Sequence, residues 1–151
     1  MPFIIIAITG CDAAWNLANR GSLRSDVTEL FKNHGVTVSD LKCNMIGTTR
    51  SAVCEFRGKT DQVTSLVRGL KLKALEGGET SREALLRRIP EAPQGCLACF
   101  PFQTASQMKI YMSERGAKEL RLKSGGAFEY LILFQDLGSS RVCVQVSYAY
   151  G

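Results

Sequence analysis

The stretch Ser22–Gly58, SLRSDVTELFKNHGVTVSDLKCNMIGTTRSAVCEFRG, changes its hydrophobic period twice, and those changes decide the fold class. Leu23, Val27, Leu30 and Phe31 fall at i, i+4, i+7 and i+8, the stripe of a helix with one apolar face. Ser22 can cap its start, and Gly35 after His34 can supply the left-handed residue that closes a helix. Val36 to Ile46 reads as a strand whose apolar phase shifts between Val38 and Leu41, so a bulge is expected near Ser39–Asp40. Gly47, Thr48 and Thr49 predict a turn. Ser51–Arg57 then places Ala52, Cys54 and Phe56 on one face of a second strand.

Outward from that core, Phe3–Thr9 (FIIIAIT) is short, β-branched and stopped by Gly10, which predicts a buried strand. Cys11–Gly21 reads as a loop. Thr60 opens a second helix carrying Val63, Leu66, Val67 and Leu70, and Lys71–Leu75 suits a short edge strand. The order β-α-β-β-α-β predicts a ferredoxin-like split βαβ domain over residues 1–76, an α+β fold. Within it, the stretch from Ser22 to Gly58 resembles an ACT domain: a helix with a His-Gly stop, a Val-rich strand, a turn and a returning strand. The resemblance implies a regulatory module that binds amino acids or related ligands at a dimer interface, through the loop before the first helix. Asn19, Gly21 and Leu23 occupy the matching positions. Free amides at the start of a helix opening near Leu23 would suit a small carboxylate. Asp12, Asn16, Asn19 and Gly21 are the expected ligand contacts.

Glu76–Gly77–Gly78–Glu79 marks an internal boundary, and residues 77–151 read as a second α+β segment able to continue the first sheet. Thr80–Glu83 forms a capping box for a short helix stopped by Pro90, and Cys96–Phe100 suggests a strand. Thr104–Gln107 forms another capping box, so Met108, Tyr111 and Met112 are expected on a helix. Lys118–Lys123 is basic and ambiguous. The chain closes on an antiparallel hairpin. Ala127–Gln135 is apolar on both faces, hence central, while Val142, Val144, Val146, Tyr148 and Tyr150 alternate as in a strand buried on one side.

Composition narrows the function classes. The chain has 151 residues, 45% hydrophobic and 22% charged, which fits a folded domain and excludes wholesale disorder. The longest apolar run, Phe3–Ile8, is too short to span a membrane, and it lacks the features of a signal peptide. Four of the six cysteines lie in apolar strand-like runs, where a free thiol packs as a small hydrophobe. Reduced cysteines and a cytoplasmic location are therefore expected. Cys96 and Cys99 form a CxxC, but on a strand they would face opposite ways, so neither metal nor cofactor is expected.

The favoured function is a non-catalytic sensing or assembly module acting as a homo-oligomer, a dimer in the simplest case. Its ligand would be an amino acid or small carboxylate. Two alternatives remain open. The net charge of +5 allows nucleic-acid binding through Lys109, Arg115, Lys118, Arg121 and Lys123, with Phe128, Tyr130 and Phe134 stacking on bases. Pro2 behind a removable Met1 resembles the N-terminal proline base of the tautomerase superfamily, which implies Arg50 or Arg57 as anchor for an acidic substrate. The lone histidine, His34, is expected to interact with the negative end of its helix rather than act as a base.

Overall fold

A computed structural model describes residues 16–45, 50–75 and 108–149. Helix α1 (Asn16–Asn33) is followed by strands β1 (Lys42–Met45) and β2 (Ser51–Arg57), then helix α2 (Thr60–Gly69) and the short strand β3 (Lys73–Ala74). Strands β4 (Met108–Met112), β5 (Phe128–Asp136) and β6 (Arg141–Tyr148) complete the described elements, with a short 3₁₀ turn at Lys118–Leu120. The strands form one sheet in the order β1-β2-β6-β5-β4-β3, with every neighbouring pair antiparallel. The fold is α+β.

The expected hairpin is present, in a register that sets Cys43 opposite Cys54. What flanks it differs from a split βαβ unit, which would pair a strand at residues 3–9 with 51–57. Both edges of β2 are already filled, one by β1 and the other by β6. Strands from residues 1–76 and 77–151 thus share one sheet, joined at β2–β6 and at β3–β4.

Each helix stop follows from its local chemistry. At the end of α1, Gly35 has φ +78°, and the Val36 and Gly35 amides donate to the Phe31 and Lys32 carbonyls at 3.0 Å each. This is the expected glycine closure. After α2 the same closure falls on Lys71, with φ 53°, while the Leu72 amide donates to the Val67 carbonyl at 2.9 Å. A side chain in the left-handed region is strained. Lys71 has an ion pair with Glu119 at 3.9 Å, but its side chain is 68% exposed, so little is lost with it. Lys71→Gly is therefore expected to stabilise by about 0.5 kcal/mol, read as a higher urea midpoint at unchanged slope.

Four expectations need correction. Helix α1 begins at Asn16, not near Leu23, because Leu17, Ala18 and Arg20 favour a helix and one interior glycine costs only about 1 kcal/mol. Ser22 accordingly lies inside the helix and is no cap. The first strand starts at Lys42 rather than Val36, with bends at Ser39 and Asp40 where the apolar phase shifts. Met108–Met112 is a strand whose Met108, Ile110 and Met112 share a face. Strand β6 is buried on both faces, since Cys143 and Gln145 are as covered as Val142, Val144 and Val146.

The helices cover one face of the sheet. Leu23, Val27, Leu30 and Phe31 of α1, with Val63 and Leu66 of α2, pack on Cys43, Cys54, Phe56, Leu131, Leu133, Val142, Val144 and Val146. The opposite face carries a second core of Ile110, Met112, Tyr130, Ile132, Phe134 and Cys143. Helix α1 is also tied to β6, because the Tyr148 hydroxyl donates to Asp26 Oδ2 at 2.6 Å. Burial, reinforced by that carboxylate, pushes the Tyr148 phenol well above its ordinary range. Cys43 and Cys54 form a disulfide, and Cys143 is disulfide-bonded as well, which corrects the expectation of reduced cysteines. Pro2, Asp12, the strand at 3–9, both capping boxes and the CxxC lie outside the described residues.

Candidate functional site

Four hydrogen bonds build a cleft where β2 hands over to α2. The Arg57 amide donates to Asp40 Oδ2 at 3.1 Å, tying the end of β2 to the bend before β1. Gln62 Nε2 donates to the Thr37 carbonyl at 3.1 Å, while its Oε1 accepts the Lys59 amide at 2.9 Å. One side chain thus closes the first turn of α2 and fixes it to the opposite wall. The Gly58 amide donates to the Ser140 carbonyl at 2.9 Å, which brings in the β5–β6 turn. The cleft is open to solvent and lined by Thr37, Val38, Ser39, Asp40, Arg57, Gly58, Lys59, Gln62 and Ser140, with a volume of about 300 Å³. That is at the small end of the range for ligand pockets.

A groove of about 190 Å³ shares Asp40 and Arg57 with this cleft and adds Lys42, Glu55, Phe56 and Arg141. Strand alternation puts Cys43, Cys54, Phe56 and Val142 on the helix side, so Lys42, Glu55, Arg57 and Arg141 face the other way. In the β2–β6 register Arg57 lies directly opposite Arg141. Like charges directly opposed in an antiparallel pair are unfavourable. Arg141 is drawn towards Glu55, its Nη2 donating to Oε1 at 2.9 Å. The partners are each 46% exposed, so solvent screens the pair. The Arg57 guanidinium and the Lys59 ammonium make no salt bridge among the described residues. Across cleft and groove, four cations (Lys42, Arg57, Lys59, Arg141) meet two carboxylates (Asp40, Glu55).

The β5–β6 turn that carries Ser140 is held by Asp136. The Ser139 hydroxyl donates to Asp136 Oδ2 at 2.5 Å and the Gly138 amide to Oδ1 at 3.0 Å. Those donors, the hydroxyl foremost, hold the Asp136 carboxyl below its usual range. A lowered folded pKa contributes stability above the ordinary carboxylate range and loses it as pH falls through the folded value. Between about pH 5 and about pH 3, the protein should therefore lose more stability than Asp136→Asn does. Urea titrations of both proteins across that window check this.

The sequence-derived candidates fall elsewhere. Asn16, Asn19 and Gly21 lie along α1, so the free helix start expected near Leu23 is not there. His34 follows α1 as expected of a structural residue, and its Nε2 donates to the Glu119 carbonyl at 3.2 Å. The five basic candidates occupy separate elements. Lys109 is on β4, and Arg115 lies 3.8 Å from Glu129. Lys118 is in the 3₁₀ turn, Arg121 in a bridge to Ala127, and Lys123 beside Glu29. Phe128, Tyr130 and Phe134 are buried in the sheet and present no face on which a base can stack, which removes that part of the nucleic-acid expectation.

Of the cleft residues only Arg57 stands out in sequence. The available signal is the string Arg57-Gly58-Lys59-Thr60, two cations flanking a glycine between a strand and a helix. Among the described residues, no group of three or more His, Cys, Asp or Glu side chains converges as metal ligands do. None of the described helices is long and apolar enough to cross a membrane. Comparison with protein-family models, curated proteins and solved structures finds no match to this chain.

Proposed function

We propose that this chain is a non-catalytic module that binds a small carboxylate, amino acids included, in the cleft between Thr37–Asp40 and the start of α2. The observation that carries this reading is the opposition, across β2 and β6, of Arg57, which lines both the cleft and the adjoining groove, and Arg141, which lines the groove. An anion placed beside them gains a charge-assisted contact from Arg57 and shares the Arg141 guanidinium with Glu55, which relieves the repulsion. Lys59 and the hydroxyls of Thr37, Ser39 and Ser140 supply further donors. Asp40 keeps one carboxylate oxygen beyond the Arg57 amide, which suits an ammonium on the same ligand. This retains the function expected from the sequence and moves its site from Asp12–Gly21 to the cleft.

Assembly into a homo-oligomer remains part of the proposal, but not through sheet edges. The described edges, β1 and β3, are four and two residues long and carry Lys42 and Lys73. Short, lysine-bearing edges discourage pairing with another chain. Thermal melts at low ionic strength against a panel of mono- and dicarboxylates test the binding reading. A ligand at 100 times its Kd should add about 2.7 kcal/mol of stability. A panel in which no carboxylate raises Tm, or in which neutral analogues raise it equally, contradicts the proposal.

A further inference from the structure

We infer that Cys43–Cys54 is a permanent structural disulfide, and hence that the chain folds and works in an oxidising compartment. The two residues face each other directly across β1 and β2, on the side of the sheet covered by α1. Cys43 is 4% exposed and Cys54 is fully buried. Reduction needs a thiolate to reach a sulfur, and neither is reachable while the sheet and α1 stay docked. A disulfide that serves as a switch needs the opposite setting, an exposed sulfur. The other described cysteine points the same way, since Cys143 is bonded too and none of the described cysteines is free. Paired, shielded cysteines are typical of compartments where disulfides persist and rare where glutathione keeps thiols reduced.

The bond also has a clear structural task. Among the described residues, β1 is a four-residue edge strand with β2 as its one sheet neighbour. Such an edge opens before the centre of a sheet does. Linking Cys43 to Cys54 fixes β1 on β2. Its formation joins the two sulfurs and passes two electrons and two protons to a disulfide-bearing oxidant, which leaves as a dithiol. The inference is independent of the proposed ligand, because it concerns only the oxidation state of this pair.

The test is the thiol state of the full-length protein taken directly from the cells that make it. Samples are acid-quenched, alkylated without reductant, and read by peptide mass spectrometry. Cys43 and Cys54 should escape alkylation and appear as one cross-linked species. With the purified native protein, dithiothreitol should cut the bond at least about tenfold more slowly than after unfolding in urea, because access limits exchange. Alkylation of both cysteines in the cellular sample overturns the inference. So does a mixed population, or reduction that is as fast in the native protein as in urea, since either makes the pair a switch. The Cys43→Ser/Cys54→Ser variant should melt at a lower temperature while keeping its far-UV spectrum. An unchanged Tm also counts against a structural bond.

Discussion

Phe56→Ala is expected to cost about 3–5 kcal/mol, the range for removing a fully buried aromatic side chain. Phe56 is 2% exposed, and its ring meets that of Phe31 edge-on with centroids 5.5 Å apart. It therefore anchors α1 to β2 beneath the floor of the cleft. Truncation removes the apolar contact and leaves a cavity that Phe31, itself buried, is not free to fill. The urea midpoint should fall sharply at a similar slope. A loss under about 1.5 kcal/mol would mean that the helix repacks over the gap and that the ring is not the anchor.

Gly58→Ala should cost about 1–3 kcal/mol despite being a conservative change. A Cβ there would sit 2.9 Å from Phe56 Cε2 and 3.0 Å from Val142 Cγ2, and both side chains are buried. Replacing glycine elsewhere can stabilise by about 0.4–1 kcal/mol through the unfolded chain, which is too little to offset this clash. The residue is glycine because the backbone must pass close to the core while its amide reaches the Ser140 carbonyl. The clash predicts coupling: in a Phe56→Leu background the penalty for Gly58→Ala should shrink. Equal penalties in both backgrounds would place the strain elsewhere.

Local chemistry was the legible part of this chain. The His34–Gly35 stop, the start of α2 at Thr60 and the antiparallel pairing of β1 with β2 all depend on residues close in sequence. Pairing between distant strands was not legible. Phe3–Thr9 and Val142–Tyr148 are both short and β-branched, and periodicity alone does not say which lies beside β2. Met108–Met112 shows the same limit at shorter range. Met108, Tyr111 and Met112 fit a helix face, Met108, Ile110 and Met112 fit a strand face, and five residues are too few to separate them.

The disulfide is not visible in either cysteine taken alone, because each sits in an apolar strand-like run where a free thiol would pack equally well. Cys43 and Cys54 flank the predicted turn at similar distances, so the hairpin already implied that they meet. The cleft was illegible for a different reason. Its walls come from three separated segments, and the opposition of Arg57 to Arg141 exists only once β6 is known to lie beside β2.

That opposition is the basis of the proposed function, and titration calorimetry on the arginine tests it most directly. A carboxylate that raises Tm is titrated at low salt into the protein and into Arg57→Ala, with a folding check by near-UV spectrum. Losing a charge-assisted contact of about 1.5–3 kcal/mol should weaken binding by roughly 10- to 150-fold. Lys109→Ala, on β4 and outside the cleft lining, should bind as the parent does. Undiminished binding by a folded Arg57→Ala protein would contradict the assignment of the cleft as the ligand site.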